Sequence, residues 1–179
     1  SSSVQATFFD YNNDGFLDLI YNRALMPEGT GINVMDIMWG NGKYFVNANK
    51  TNIPITNIFP ILDINFVDAD GDNISEIVFL YITIDDHWEI EIFKADKTFQ
   101  TYTNVTDQFI QDNKKKEGDY KLRYLRIQDI DNNVKMDIFS TDKKSNIRWE
   151  QDVDGIFKRK YLMHSNKKIC IIGLGYIGL

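Results

Sequence analysis

The sequence lacks several features that would assign it to common classes of protein. Of its 179 residues only Cys170 is a cysteine, which excludes an internal disulfide framework and any zinc site built from cysteines. Its longest apolar run, Ile169 to Leu179, is too short for a membrane span. It has no excess of positive charge, because 20 lysines and arginines are outnumbered by 26 acids, giving a net charge of −6. Nucleic-acid binding requires a basic surface, so we expect no nucleic-acid partner.

Glutamate is also scarce, and the residues that replace it favour turns. The chain has 20 aspartates and 17 asparagines but only 6 glutamates. Aspartate and asparagine favour caps, turns and metal loops, and they disfavour helix interiors. Helical signals are correspondingly weak, and we expect the segment from Asp107 to Asp119, with its lysine run, to be a solvated loop. The composition predicts an all-β, turn-rich fold with oxygen-rich ion sites.

Three acidic windows of similar pattern recur along the chain. They begin at Asp10, Asp68 and Asp129, which are 58 and 61 residues apart. A β-like apolar run precedes each window and another follows it, and a hairpin candidate comes next. The three hairpin turns are predicted at Asn41-Gly42, Asp96-Lys97 and Asp154-Gly155.

Each repeat therefore predicts four short antiparallel strands with the acidic window between the first two. This is the unit of a β-propeller blade. We place the repeats at residues 1–60, 61–117 and 118–165, and residues 166–179 form a tail or the start of a following β-rich segment. Three blades do not close a ring, so we expect further blades, as in a seven-bladed propeller, or a partner chain to complete it.

Alternate residues of each window carry side-chain oxygens. Counted from the first aspartate, positions one, three, five and nine can converge on one centre in a tight loop, and six to eight hard oxygen ligands suit Ca²⁺. The windows lack a glutamate at position twelve and lie between β-like runs, so they are not EF-hands. The candidate side chains are Asp10, Asn12, Asp14 and Asp18; Asp68, Asp70, Asp72 and Glu76; and Asp129, Asp131, Asn133 and Asp137.

The windows resemble the FG-GAP and VCBS repeats of integrin-α-type β-propellers, whose blades carry Asp-x-Asp/Asn-x-Asp-Gly-x-x-Asp calcium loops. The resemblance covers residues 6–163 and implies Ca²⁺ ligands at the twelve positions. It also implies backbone carbonyl ligands at position seven, from Phe16, Ile74 and Lys135.

The three windows differ in how well they match this family pattern. The second window has four acids and keeps Gly71, so we expect it to bind Ca²⁺ most strongly. The third has Asn132, Asn133 and Val134 where the family usually has Asp and Gly. It loses a charge and backbone freedom, so we expect weak binding or a purely structural turn.

Three N-glycosylation sequons begin at Asn49, Asn73 and Asn104, and they favour the secretory pathway. Together with the resemblance they predict an extracellular, secreted or membrane-anchored module. We expect it to act in adhesion or protein–protein recognition, with an extracellular or cell-surface protein as partner. No catalytic constellation is evident, since His87 and His164 are far apart in sequence and no nucleophile elbow is present.

Two alternatives remain open at this point. Related calcium-loop propellers also occur as polysaccharide lyases and sugar-binding modules, although Trp88, Trp149 and Tyr102 are interpreted as packing residues rather than a sugar platform. The second concerns the Gly-x-Gly-x-x-Gly of Gly173 to Gly178, which resembles the start of a nucleotide-sugar dehydrogenase Rossmann domain, a truncated NAD site. No helix or acidic residue follows it here. The tail also resembles the β-rich segment that follows the propeller in FG-GAP proteins of the T-cell immunomodulatory protein type.

Overall fold

The computed structural model describes residues 6–25, 32–45, 49–55, 61–83, 85, 87–140 and 147–161. Within these residues the chain forms three four-stranded antiparallel sheets and one four-residue helix. The prediction of an all-β fold is therefore confirmed. His164, Cys170 and the glycine-rich tail lie outside the described residues.

Each sheet is a meander in which every strand pairs with the next strand along the chain. Sheet 1 contains β1 (Ala6–Phe9), β2 (Asp18–Leu25), β3 (Ile32–Met38) and β4 (Lys50–Ile53). Sheet 2 contains β5 (Ile61–Val67), β6 (Glu76–Ile82), β7 (Trp88–Ala95) and β8 (Tyr102–Asn104). The helix α1 (Thr106–Phe109) follows it. Sheet 3 contains β9 (Leu125–Gln128), β10 (Asp137–Ser140), β11 (Ile147–Gln151) and β12 (Phe157–Tyr161).

The middle sheet is buried on both faces. Side chains alternate along β6, so Ile77 and Phe79 enter a core shared with sheet 1, whereas Val78 and Leu80 enter a core shared with sheet 3. From Ile77 to Ile82 the sequence of this strand is consequently apolar, as expected for a strand covered on both sides. Sheets 1, 2 and 3 therefore pack face to face in chain order.

The aromatic residues that could have formed a sugar platform belong to these cores. Trp88 and Trp149 pack edge to face in the second core, with ring centroids 5.7 Å apart, and both are buried. Tyr102 is buried in the first core. Their interpretation as packing residues is confirmed.

The hairpin predicted at Asn41-Gly42 is wrong in its length. The strand β4 begins only at Lys50, and residues 43–45, which a two-residue turn would place in the next strand, lie outside the sheet. The Asn41 side-chain oxygen accepts the backbone N–H groups of Lys43 and Tyr44, both at 3.0 Å, which curls the chain away from the strand ladder. The Phe16 ring packs on Gly42, where a Cβ atom would lie only 2.6 Å from a ring carbon. The turn predicted at Asp96-Lys97 is also longer than expected, because β8 begins only at Tyr102, whereas Asp154-Gly155 lies in the turn between β11 and β12 as predicted.

Side-chain contacts from sheet 3 hold the connection between sheets 2 and 3 in place, so it is only partly exposed to solvent. The Arg159 guanidinium on β12 lies over the Trp88 ring, 5.3 Å from its centroid, and donates to the Lys114 carbonyl at 3.0 Å. It also pairs with Asp119, and the two side chains are only 1% and 3% exposed. The expectation of a solvated loop is thus correct for its exposed lysines Lys114 and Lys116 but wrong for Asp119.

Candidate metal centres

The three acidic windows form loops at one end of the sheets, each joining the first strand of a sheet to the second. We call them the first loop (residues 10–18), the second loop (68–76) and the third loop (129–137). The first and second loops touch, because the Asn13 amide donates to the Asn73 carbonyl at 3.3 Å. The second and third loops border a cleft of about 690 Å³, across which the Gln151 amide donates to the Ala69 carbonyl at 2.8 Å. All three loops therefore belong to one continuous surface.

The loops share one hydrogen-bonded conformation. The carboxylate at position one accepts the backbone N–H groups of positions five and six, and the side chain at position five accepts the N–H of position seven. The distances for position one are 3.0 and 3.0 Å at Asp10, 3.1 and 2.9 Å at Asp68, and 3.1 and 2.9 Å at Asp129. Those for position five are 2.8 Å at Asp14, 2.9 Å at Asp72 and 2.7 Å at Asn133. The acidic side chains are thus held on the inside of each turn.

The position-nine acids Asp18, Glu76 and Asp137 start the second strand of each sheet and are fully buried, with 0% exposure. Each accepts the backbone N–H of position two, from Tyr11 at 2.9 Å, Ala69 at 2.7 Å and Ile130 at 3.1 Å. Burial raises the pKa of all three carboxyls, and these hydrogen bonds offset it only in part. A cation placed beside such a carboxylate would offset the remaining cost of burying its charge.

Two positions in every loop require left-handed backbone. At position four φ is 57° for Asn13, 78° for Gly71 and 61° for Asn132. At position six φ is 88° for Gly15, 66° for Asn73 and 72° for Val134. Glycine and asparagine tolerate this region, whereas a β-branched valine does not. The third loop therefore keeps the shared conformation at the cost of strain at Val134.

The acids converge in two of the loops. One carboxylate oxygen from each of Asp129, Asp131 and Asp137 lies within 4.8 Å of the others, and the same is true of Asp68, Asp70 and Glu76. Both clusters could hold a metal ion. The first loop offers three carboxylates and the Asn12 amide, whose nitrogen donates to Asp14 at 2.9 Å.

The predicted carbonyl ligands at position seven lie within the loops. Phe16, Ile74 and Lys135 each donate their backbone N–H to the side chain at position five, and their role as carbonyl ligands stays a prediction. The Lys135 ammonium points away from its own loop and donates to the Asp152 carbonyl. Its charge therefore does not neutralise the third loop.

The second loop contains a residue that the sequence pattern missed. The Lys94 ammonium, from β7, lies 2.5 Å from Asp70, 2.7 Å from Asp72 and 3.0 Å from Glu76. Its hydrogen bond lowers the pKa of Asp72, and together these carboxylates raise the pKa of Lys94 against the opposing effect of its burial. The signal in the sequence is the strand register: Ile77 pairs with Phe93, so the next pair brings Lys94 beside Glu76.

Comparisons of the chain with protein-family models, with curated proteins and with solved structures find no match. Within the residues that the structure describes, no helix has the length and apolar character needed to cross a membrane. The geometry of the three loops is therefore the basis on which a function is assigned.

Proposed function

We propose that this chain is a calcium-binding segment of a β-propeller, in which each four-stranded sheet is one blade of the FG-GAP type. The observation that carries the proposal is the shared loop conformation, which occurs three times at the same place between the first and second strands. The face-to-face packing of consecutive meanders supports the assignment of the sheets as blades.

Calcium is the ion that best suits the oxygen donors of the first and third loops. Carboxylate, amide and carbonyl oxygens are hard ligands, and Ca²⁺ accepts six to eight of them in flexible geometry. In the third loop Asp129, Asp131, Asn133 and Asp137 would hold the ion; in the first, Asp10, Asn12, Asp14 and Asp18. Bound Ca²⁺ would supply positive charge to the buried Asp18 and Asp137 carboxylates.

The loop surface suits recognition of a protein. A rigid β scaffold carries loops whose composition can vary without changing the core, which is the usual arrangement for binding surfaces. Exposed Val134 and Val153 border the cleft between the second and third loops, and they are 90% and 87% exposed. We propose that Ca²⁺ fixes the loops and that an extracellular or cell-surface protein binds beside them.

The metal assignment is tested by calcium titration with calorimetry and by melting in calcium and in EDTA. We expect two ions per chain and a higher melting temperature in calcium, since one site at a hundredfold excess over Kd adds about 2.7 kcal/mol. Asp131→Asn should weaken one site by removing a charged ligand. Asp154→Asn, an exposed acid in the neighbouring β11–β12 turn, is the control and should leave both sites intact. Identical melting curves in calcium and EDTA, with no ion bound, would overturn the proposal.

A further inference from the structure

The third strand of each sheet ends beside the buried acid of its own loop. The registers pair Leu19 with Met38, Ile77 with Phe93 and Ile138 with Trp149. The next residues along the third strands, which therefore lie beside the position-nine acids, are Trp39, Lys94 and Glu150. Of these three equivalent positions, the second sheet alone places a cation.

That cation is fully engaged by the second loop. An ammonium group has three N–H donors and no acceptor, and the three carboxylates of Asp70, Asp72 and Glu76 match its donors. The Glu76 side chain is buried and the Lys94 side chain is only 23% exposed, so the pair is partly shielded from solvent. Shielding of this kind strengthens the attraction between opposite charges.

We infer that the Lys94 ammonium neutralises the acids of the second loop as Ca²⁺ does in the other two loops, so the second loop keeps its conformation without a metal. The inference rests on the proposed function for the first and third loops. The contacts support it, because the ammonium group pairs with three of the four acids that would otherwise coordinate an ion. A divalent ion entering the second loop would compete for the carboxylates that bind Lys94 and would meet its positive charge.

The test is the number of calcium ions bound by the wild-type chain and by Lys94→Met, measured by calorimetry and native mass spectrometry. Methionine keeps an unbranched side chain but removes the charge, so we expect one more ion per chain in this variant. Lys50→Met is the matched control, because Lys50 also pairs with a buried acid, Asp36 at 3.4 Å, but lies outside the three loops. Adding Asp68→Asn, at the position that is an aspartate in all three loops, to Lys94→Met should remove the extra ion again.

The possible counts separate this inference from the proposed function. Equal counts in the wild-type chain and in Lys94→Met overturn the inference, whatever the count is. Three ions in the wild-type chain also overturn it, but they leave the calcium function intact. No ion in the wild-type chain and one in Lys94→Met supports the role of Lys94 and contradicts calcium binding at the first and third loops.

A measurement on the wild-type chain covers the case in which Lys94→Met does not fold. The side-chain ammonium signal of Lys94 should be observable by NMR in EDTA, because its three carboxylate partners slow hydrogen exchange. It should stay unchanged while calcium saturates the other loops. A loss or large shift of that signal on calcium addition would show that the ion displaces Lys94, and the inference would fail.

Discussion

At the scale of single residues, Val134 shows that the loop conformation is imposed by the whole turn and not by each residue in it. Its φ of 72° lies in the region that glycine and asparagine occupy at the same position of the other loops. The hydrogen bond from its N–H to Asp129, at 2.9 Å, matches the one that Gly15 donates to Asp10. The valine side chain is 90% exposed, so it contributes almost no packing in return for this strain.

Replacing Val134 with glycine should therefore stabilise the protein. Left-handed backbone costs a non-glycine residue about 1–2 kcal/mol, and the extra freedom of glycine in the unfolded chain offsets part of the gain, so we expect about 1 kcal/mol. Urea denaturation of the two proteins measures the difference. Val153→Gly is the control, since Val153 is as exposed but has no positive φ. If Val134→Gly is no more stable than Val153→Gly, the strain at Val134 is not significant.

Residue spacing was enough to predict the loop positions, because the hydrogen bonds that shape each loop join residues two to seven positions apart. It could not predict Lys94, which lies 18 residues from Glu76 and reaches it only through the pairing of β6 with β7. The ranking of the second loop as the strongest calcium site counted the four acids of the window alone. That ranking stays a prediction and conflicts with the inference that Lys94 replaces the ion there; whether the wild-type chain binds calcium in its second loop decides between them.

At the scale of elements, the sequence predicts strands whose ends are marked by turn residues. It does not predict connections whose course depends on side-chain contacts. The strands Ala6–Phe9 and Ile61–Val67 lie directly before an acidic window, as the sequence predicts, because each is an apolar run that ends at an acidic turn. The strand β4 starts later than expected, since Asn41 bends the chain through its own side chain. Residues 107–119 are held by hydrogen bonds from Arg159 to the carbonyls of Asp112 and Lys114. Arg159 is more than 40 positions away from both along the chain.

Loss of the Arg159 guanidinium should destabilise the protein strongly. Arg159→Met leaves the Asp119 carboxylate buried without its partner, and breaking a buried pair in this way costs about 3–5 kcal/mol. Chemical denaturation measures the change. Lys158→Met, the neighbouring residue in a partly exposed pair with Asp152, is the control and should cost far less, because solvent screens this pair.

A double variant separates the charge of Asp119 from the packing of Arg159. Arg159→Met combined with Asp119→Asn should lose less stability than the sum of the two single variants, because no unpaired charge is then buried. Strict additivity would mean that Arg159 stabilises the connection through its ring contacts and its hydrogen bonds to backbone carbonyls, and not through the charge of Asp119.

At the scale of the whole molecule, the two cores meet in sheet 2. Neighbouring residues of β6 enter opposite cores, so a substitution that changes the packing of this strand should destabilise both sheet 1 and sheet 3. The outer face of sheet 3 is polar by contrast, with Arg148 paired to Glu150 and with Lys158 paired to Asp152. The molecule thus has one inner sheet, shared by both cores, between two outer sheets.

A cavity in sheet 2 should weaken all three sheets together. Leu80→Ala removes a fully buried side chain, and such changes cost about 2–5 kcal/mol. Hydrogen exchange should show faster opening of amides in sheets 1, 2 and 3 alike. Phe139→Ala, at a partly buried position of sheet 3, is the control and should affect sheet 3 locally. Accelerated exchange confined to sheets 2 and 3 after Leu80→Ala would contradict this coupling.

The two-sided burial of β6 also restricts how the protein can change over evolutionary time. Nearly every side chain of the strand fills space in one core or the other, so few substitutions there are neutral. The loops at the end of the sheets are exposed to solvent, and most of their side chains do not pack in either core. New binding specificities can therefore arise in the loops of this protein, while the sequence of its middle sheet changes slowly.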